Sequence, residues 1–168
     1  MKKVLQFSGF ISLVLVVVTF ILMLASNAVV GSTSLGDYSV AGSTAIFGKT
    51  DTVLGTTVHT NPSALGLIAW ILILVGMLIV IAGIVLPLLK VTALEKFAGV
   101  LNLVAVCCFV LGGIFMFIVV PTFYAANDAD VPSGAGIGAG WVIGGILAIV
   151  AGAIAILPAA MDFIGKKK

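Results

Sequence analysis

Four stretches of this chain run for about twenty residues or more with no charge in their interior: Val4 to about Ala28, about Leu65 to Leu89, about Phe97 to Val120, and about Ile137 to Ala160. Twenty apolar residues wound as an α-helix reach about 30 Å, the thickness of a bilayer's hydrocarbon core. Only 8% of the 168 residues are charged and 62% are hydrophobic, against roughly a quarter charged in a soluble domain. This composition excludes a soluble enzyme, a disordered tail and a nucleic-acid-binding module. The expected fold is all-α and membrane-embedded, one integral domain over residues 1–168. It is a four-transmembrane-helix bundle of two tandem helical hairpins, with a small extracellular β-sheet in the first outside loop.

Charge placement sets the orientation. Lys2, Lys3, Lys90, Lys96, Lys166, Lys167 and Lys168 lie on one side of the four runs with Glu95 and Asp162. Lys49 lies on the other with Asp37, Asp51, Asp128 and Asp130. The lysine-rich side is cytoplasmic by the positive-inside rule. Both termini are then inside, and the two longer loops, about 30–62 and 121–136, are outside. The first run is longer than a signal-peptide core, so it reads as a retained span despite the small residues Ser26-Asn27-Ala28. The basic set is all lysine, and the Met-Lys-Lys start has a bacterial cast, which points to a bacterial plasma membrane.

Local signals mark the ends of the runs. Asn61-Pro62 reads as an N-cap with proline in the first turn. Thr92 and Glu95 form a capping box. Pro121 marks the exit of the third span, and Ser133 caps the fourth. Pro87 and Pro158 fall in last turns. In the first outside loop, Asp37 to Phe47 and Thr52 to Val58 read as strands, with Gly48-Lys49-Thr50-Asp51 as the turn. Tyr38, Val40, Ile46, Phe47, Val53 and Val58 are its expected contact residues. Asn127, Asp128 and Asp130 read as a solvated acidic turn.

The chain also resembles itself. Phe7-Ser8-Gly9-Phe10-Ile11-Ser12-Leu13-Val14-Leu15-Val16 aligns with Phe97-Ala98-Gly99-Val100-Leu101-Asn102-Leu103-Val104-Ala105-Val106. Pro62-Ser63, Gly66, Trp70 and Leu86-Pro87 align with Pro132-Ser133, Gly136, Trp141 and Leu157-Pro158. A duplicated hairpin is the expectation, its copies related by an axis along the membrane normal. Ser12 and Asn102 take equivalent positions and are expected to satisfy each other as an intramembrane polar pair.

Lipid competes well for leucine, so membrane helices associate through small residues and polar contacts. Gly136, Gly140, Gly144, Ala148 and Gly152 recur at every fourth position, and Ala69, Gly76 and Gly83 at every seventh. Both series are expected helix-packing or oligomer faces. Chemistry has little to work with. Cys107 and Cys108 are adjacent and mid-span, His59 is the single histidine, and no acid, base or arginine lies inside a run. No catalytic residue, metal site or cofactor is therefore assigned.

The order of an inside N-terminus, the span from Val4, a β-rich loop from Tyr38 to Val58, the span from Leu65 and the hairpin from Phe97 to Ala160 resembles the claudin-like tetraspan proteins. The resemblance is one of topology, since residues 30–62 contain neither Trp nor Cys. It implies a four-span protein with an extracellular sheet. The functional expectation is a non-enzymatic membrane protein acting by self-assembly or by binding a membrane-protein partner. The helix faces and the first loop would make the contacts. Two alternatives stand beside it. One is an oligomeric channel or permease lined by Ser12, Thr19, Ser26 and Asn102. The other is an accessory or immunity-type subunit of a larger membrane complex. Lipid is a partner in each case, and nucleic acid in none.

Overall fold

The computed structural model describes residues 2–34, 36–53, 55–88 and 98–165, with side chains described over 7–34, 36–52, 55–85 and 99–157. The capping box Thr92–Glu95 and the lysines 90, 96 and 166–168 lie outside the described residues, as do the side chains of Lys2, Lys3, Val53, Pro87, Pro158 and Asp162.

The chain is mostly helical with small antiparallel sheets. In order it runs α1 (Lys2–Ala25), β1 (Asn27–Thr33), β2 (Gly36–Ala41), α2 (Gly42–Phe47), β3 (Lys49–Val53), β4 (Thr56–Thr60), α3 (Ala64–Leu88), α4 (Ala98–Met116), α5 (Val119–Ala126), β5 (Gly136–Ile137) and α6 (Ala139–Gly165). The segments Phe7–Ala25, Ala64–Val85, Gly99–Met116 and Ala139–Leu157 are long and apolar enough to cross a membrane. Each of these four helices packs on two others: α6 on α4 and α1, and α3 on α4 and α1. Val16, Met23, Ile73, Phe109, Met116, Trp141 and Ala148 are fully buried along the shared seam. The short elements gather at the end of the helices formed by the C-termini of α1 and α4 and the N-termini of α3 and α6.

Several boundaries differ from the sequence expectation. Helix α1 stops at Ala25, and Asn27 and Ala28 already belong to β1. The Ser26 hydroxyl donates to the Leu22 carbonyl at 2.6 Å and closes the helix. Helix α3 is capped by Ser63 rather than Asn61. The Ser63 hydroxyl accepts from the Gly66 amide at 3.1 Å, and its carbonyl accepts from the Leu67 amide at 2.9 Å. Pro121 does not end the third span. The break falls at Phe117–Ile118, whose amides bond three residues back, to Ile114 and Phe115. A proline ring collides with the carbonyl four residues earlier, here that of Phe117. Pro121 instead sits in the first turn of α5, where its missing amide hydrogen is not needed. Ser133 does not cap the fourth span either. That helix starts at Ala139, and the Gly138 carbonyl accepts from the amides of Trp141 and Val142.

The loop topology is also richer than expected. Strands β2-β1-β5 form one antiparallel sheet, so the second long loop supplies a strand to the first. Residues 42–47 are helix, not strand. Residues 49–51 begin β3 rather than forming a turn, because the β3–β4 register closes with Val53 opposite Thr56. The turn there contains Gly55 at φ +82°, a backbone conformation glycine adopts without strain.

Candidate functional site

The loop-bearing end is a lobe tied to the helix ends at several points. Its centre is Trp141, on the first turn of α6. The indole is fully buried and its Nε1–H donates to the Met23 carbonyl at 3.2 Å. Met23 lies in the last turn of α1, so the indole satisfies a carbonyl that has no intrahelical partner. The first residue of α2, Gly42, presses against this pair. Its amide donates to the Ser26 carbonyl at 2.8 Å, and an added Cβ would meet the Met23 carbonyl oxygen and Trp141 Nε1, the latter at 2.7 Å. A second tie joins Ser63 to α5: its hydroxyl lies 2.6 Å from that of Thr122. A third is reciprocal. The Asn61 amide donates to Asn127 Oδ1 at 2.7 Å, and Asn127 Nδ2 donates to the Asn61 carbonyl at 3.1 Å. The fourth is the Tyr38–Tyr124 hydroxyl pair at 2.7 Å. Burial, and then the bond to Tyr38, push the Tyr124 phenol up to about 12.

The six expected loop contacts divide. Ile46 is fully buried, while Tyr38 and Val40 pack partly against the core. These three hold the lobe together. Phe47 and Val58 remain 53% and 49% exposed, and the Val53 side chain lies outside the described residues. Phe47 stands edge-on to Trp70 with ring centroids 5.1 Å apart, and Phe20 completes the group at 5.8 Å from Trp70. Between α2 and the β3–β4 ribbon lies an open polar groove of about 350 Å³, lined by Phe47, Lys49, His59 and Asn61 among others. The ribbon itself is exposed along β3 and β4, and among the described residues no third strand joins it.

The small-residue series face inward. Added Cβ atoms would collide with Ser26 at Gly140, with Met116 at Gly144 and with Val110 at Gly152, and Ala148 is fully buried. Gly136 is not part of this face. It lies in β5, because the helix starts three residues later. The second series meets α4: Gly76 opposes Phe109 and Cys108, Gly83 lies near Asn102, and Ala69 is fully buried with its carbonyl near Gly112.

The expected Ser12–Asn102 pair is replaced by another arrangement. The Ser12 hydroxyl donates to the Ala151 carbonyl at 3.0 Å, on α6. The Asn102 amide oxygen is on the other side, 3.8 Å from the Cβ position of Gly83 on α3. Helices α1 and α4 are diagonal neighbours, each packed on α3 and α6, which separates the two side chains. Thr19 donates to the carbonyls of Leu15 and Gly144 at 3.0 and 3.2 Å. The Trp141, Ser63 and Asn61–Asn127 ties had no sequence expectation. Only the adjacency of Asn61 to a helix start hinted at any of them.

No protein-family model matches the chain, and no curated protein matches it.

Proposed function

We propose that this chain is a non-enzymatic, multi-pass membrane protein, a four-helix bundle with both termini cytoplasmic, that acts by assembly through its extracellular lobe. The observation that supports this reading is the contrast within the lobe. One part is bound to the helix ends by Trp141, Ser63 and Asn127, while the β3–β4 ribbon and Phe47 project with their apolar and backbone groups uncovered. An isolated two-stranded ribbon is marginal in water, and an open edge is a template for a further strand. The glycine faces that could have served assembly are engaged inside the chain, which moves the reading from the helix faces to the lobe. The channel reading loses support for a matching reason. Ser12, Thr19 and Ser26 direct their hydroxyls at backbone carbonyls, as packing side chains do. The test is the size of the protein in native membranes and in mild detergent. A species larger than one chain is expected in both, and a monodisperse monomer in both would contradict the proposal.

A further inference from the structure

Strand β3 carries Lys49-Thr50-Asp51, and this triplet is complementary in charge to its own copy turned about Thr50. Its register with β4 defines which edge is open. Val53 opposite Thr56 closes a two-residue turn, whose closing pair is hydrogen-bonded. Antiparallel ladders alternate, so Asp51 and Lys49 direct their backbone groups at β4, while Thr50 and Thr52 direct theirs away. The Thr50 hydroxyl lies 2.9 Å from His59 Nδ1, on the opposite strand, as expected where side chains approach at a non-hydrogen-bonded pair.

We propose that β3 of one copy pairs antiparallel with β3 of a second copy, with the two-fold axis at Thr50. Thr50 then exchanges both backbone hydrogen bonds with its counterpart. Lys49 of each copy falls opposite Asp51 of the other, at the closely spaced side-chain position, and does so twice. Opposite charges directly across a ladder are favourable and like charges unfavourable, so the triplet selects both the partner and the register. Lys49 and Asp51 are held ready within one chain, 3.0 Å apart and each about half exposed. The open edge of β4 has no such code, since Thr56-Thr57-Val58-His59-Thr60 carries no charge pair. The two-stranded ribbon becomes a four-stranded sheet, which removes the weakness of a ribbon with two free edges.

This inference rests on the reading of the protein as one that assembles through its lobe, and the experiment separates the two. The full chain with Cys107→Ala and Cys108→Ala is reconstituted in phosphatidylcholine vesicles with Thr50→Cys as reporter. A hydrogen-bonded pair places its Cα atoms about 5.5 Å apart, within disulfide reach. Oxidation should give a disulfide dimer at position 50 and little at position 57 with Thr57→Cys. Adding Lys49→Asp or Asp51→Lys should lower the dimer yield on the order of ten-fold, because two attractive pairs become repulsive. Mixing Lys49→Asp copies with Asp51→Lys copies should restore it, as both cross-strand pairs are again opposite in charge. No dimer at position 50, equal yields at 50 and 57, indifference to charge, or no rescue on mixing would each overturn the pairing. Assembly still seen by size in native membranes would then leave the broader reading standing, and a monomer there would end both.

Discussion

The first and second pairs of long helices, α1 with α3 and α4 with α6, differ in how tightly they pack within the chain. In eighteen-residue windows of the apolar segments, 44% of the residues in Gly99–Met116 and 39% in Ala139–Leu157 are buried within the chain, against 28% in Phe7–Ala25 and 22% in Ala64–Val85. Glycines explain the difference. At Gly113 an added Cβ would stand 2.8 Å from the Gly145 carbonyl oxygen, so α4 and α6 touch nearly backbone to backbone. At Gly9 the nearest atom is Ile84 Cγ1 at 3.9 Å, an ordinary contact between α1 and α3. The second hairpin is a closely packed spine. The first leans on it from both sides and carries most of the lobe. The aligned tryptophans show the same divergence. Trp141 is sealed and hydrogen-bonded, whereas Trp70 keeps its Nε1–H buried with no partner among the described residues.

The comparison predicts unequal responses to equal changes. Gly113→Leu should be the most damaging, destabilising by roughly 3 kcal/mol or more through forced separation of two backbones, while Gly9→Leu should change stability little. Thermal unfolding in mild detergent measures both. Equal losses would remove the distinction between spine and flank. Next comes the tryptophan pair. Trp141→Phe leaves the buried Met23 carbonyl unsatisfied and should cost about 1–3 kcal/mol. Trp70→Phe removes an unpaired buried donor and should be neutral or stabilising. A greater loss at Trp70 would reverse the assignment.

The helices were legible because twenty uncharged apolar residues admit few other structures. Their ends were less so. Proline breaks a helix or opens one, and Pro121 next to an apolar run carries both meanings until the chain around Phe117 is placed. The strand Asn27–Thr33 begins with Asn27-Ala28-Val29-Val30, which continues the hydrophobic run of α1 and conceals the boundary. Gly48-Lys49-Thr50-Asp51 has the composition of a turn, yet the ladder turns at Gly55 instead. The two-residue strand β5 has no sequence signal of its own and exists because β1 offers it an edge. Small-residue spacing points to close approach of some surface. It could not say whether the approaching surface was another helix of the same chain, and at Gly144 and Gly152 it is, while Gly140 meets Ser26 just past the end of α1.

Smaller effects probe how the lobe is fastened to the spine. Asn127→Ala removes the reciprocal bonds to Asn61 and should raise amide exchange across residues 56–61 several-fold, with global unfolding little changed. Unchanged exchange would mean that the clamp does not restrain the ribbon. The mildest probe is pH. Tyr124 is held above the ordinary tyrosine value of about 10, up to about 12. A raised phenol pKa favours the protonated folded form. Its contribution is therefore complete below pH 10 and lost as the pH rises towards 12. Absorbance titration should show Tyr124 ionising late, and Tyr38→Phe should move that step down; no movement would show that the hydroxyl pair does not hold it.

The claim that the lobe rather than the helix faces makes the functional contacts is tested most directly by photo-crosslinking in native membranes. A photoreactive side chain is placed at Val58 on the ribbon or at Ile143, an exposed apolar position on α6 that is 51% accessible. The account predicts protein adducts from position 58 and lipid adducts alone from position 143. Protein adducts from position 143 with none from position 58 would contradict it.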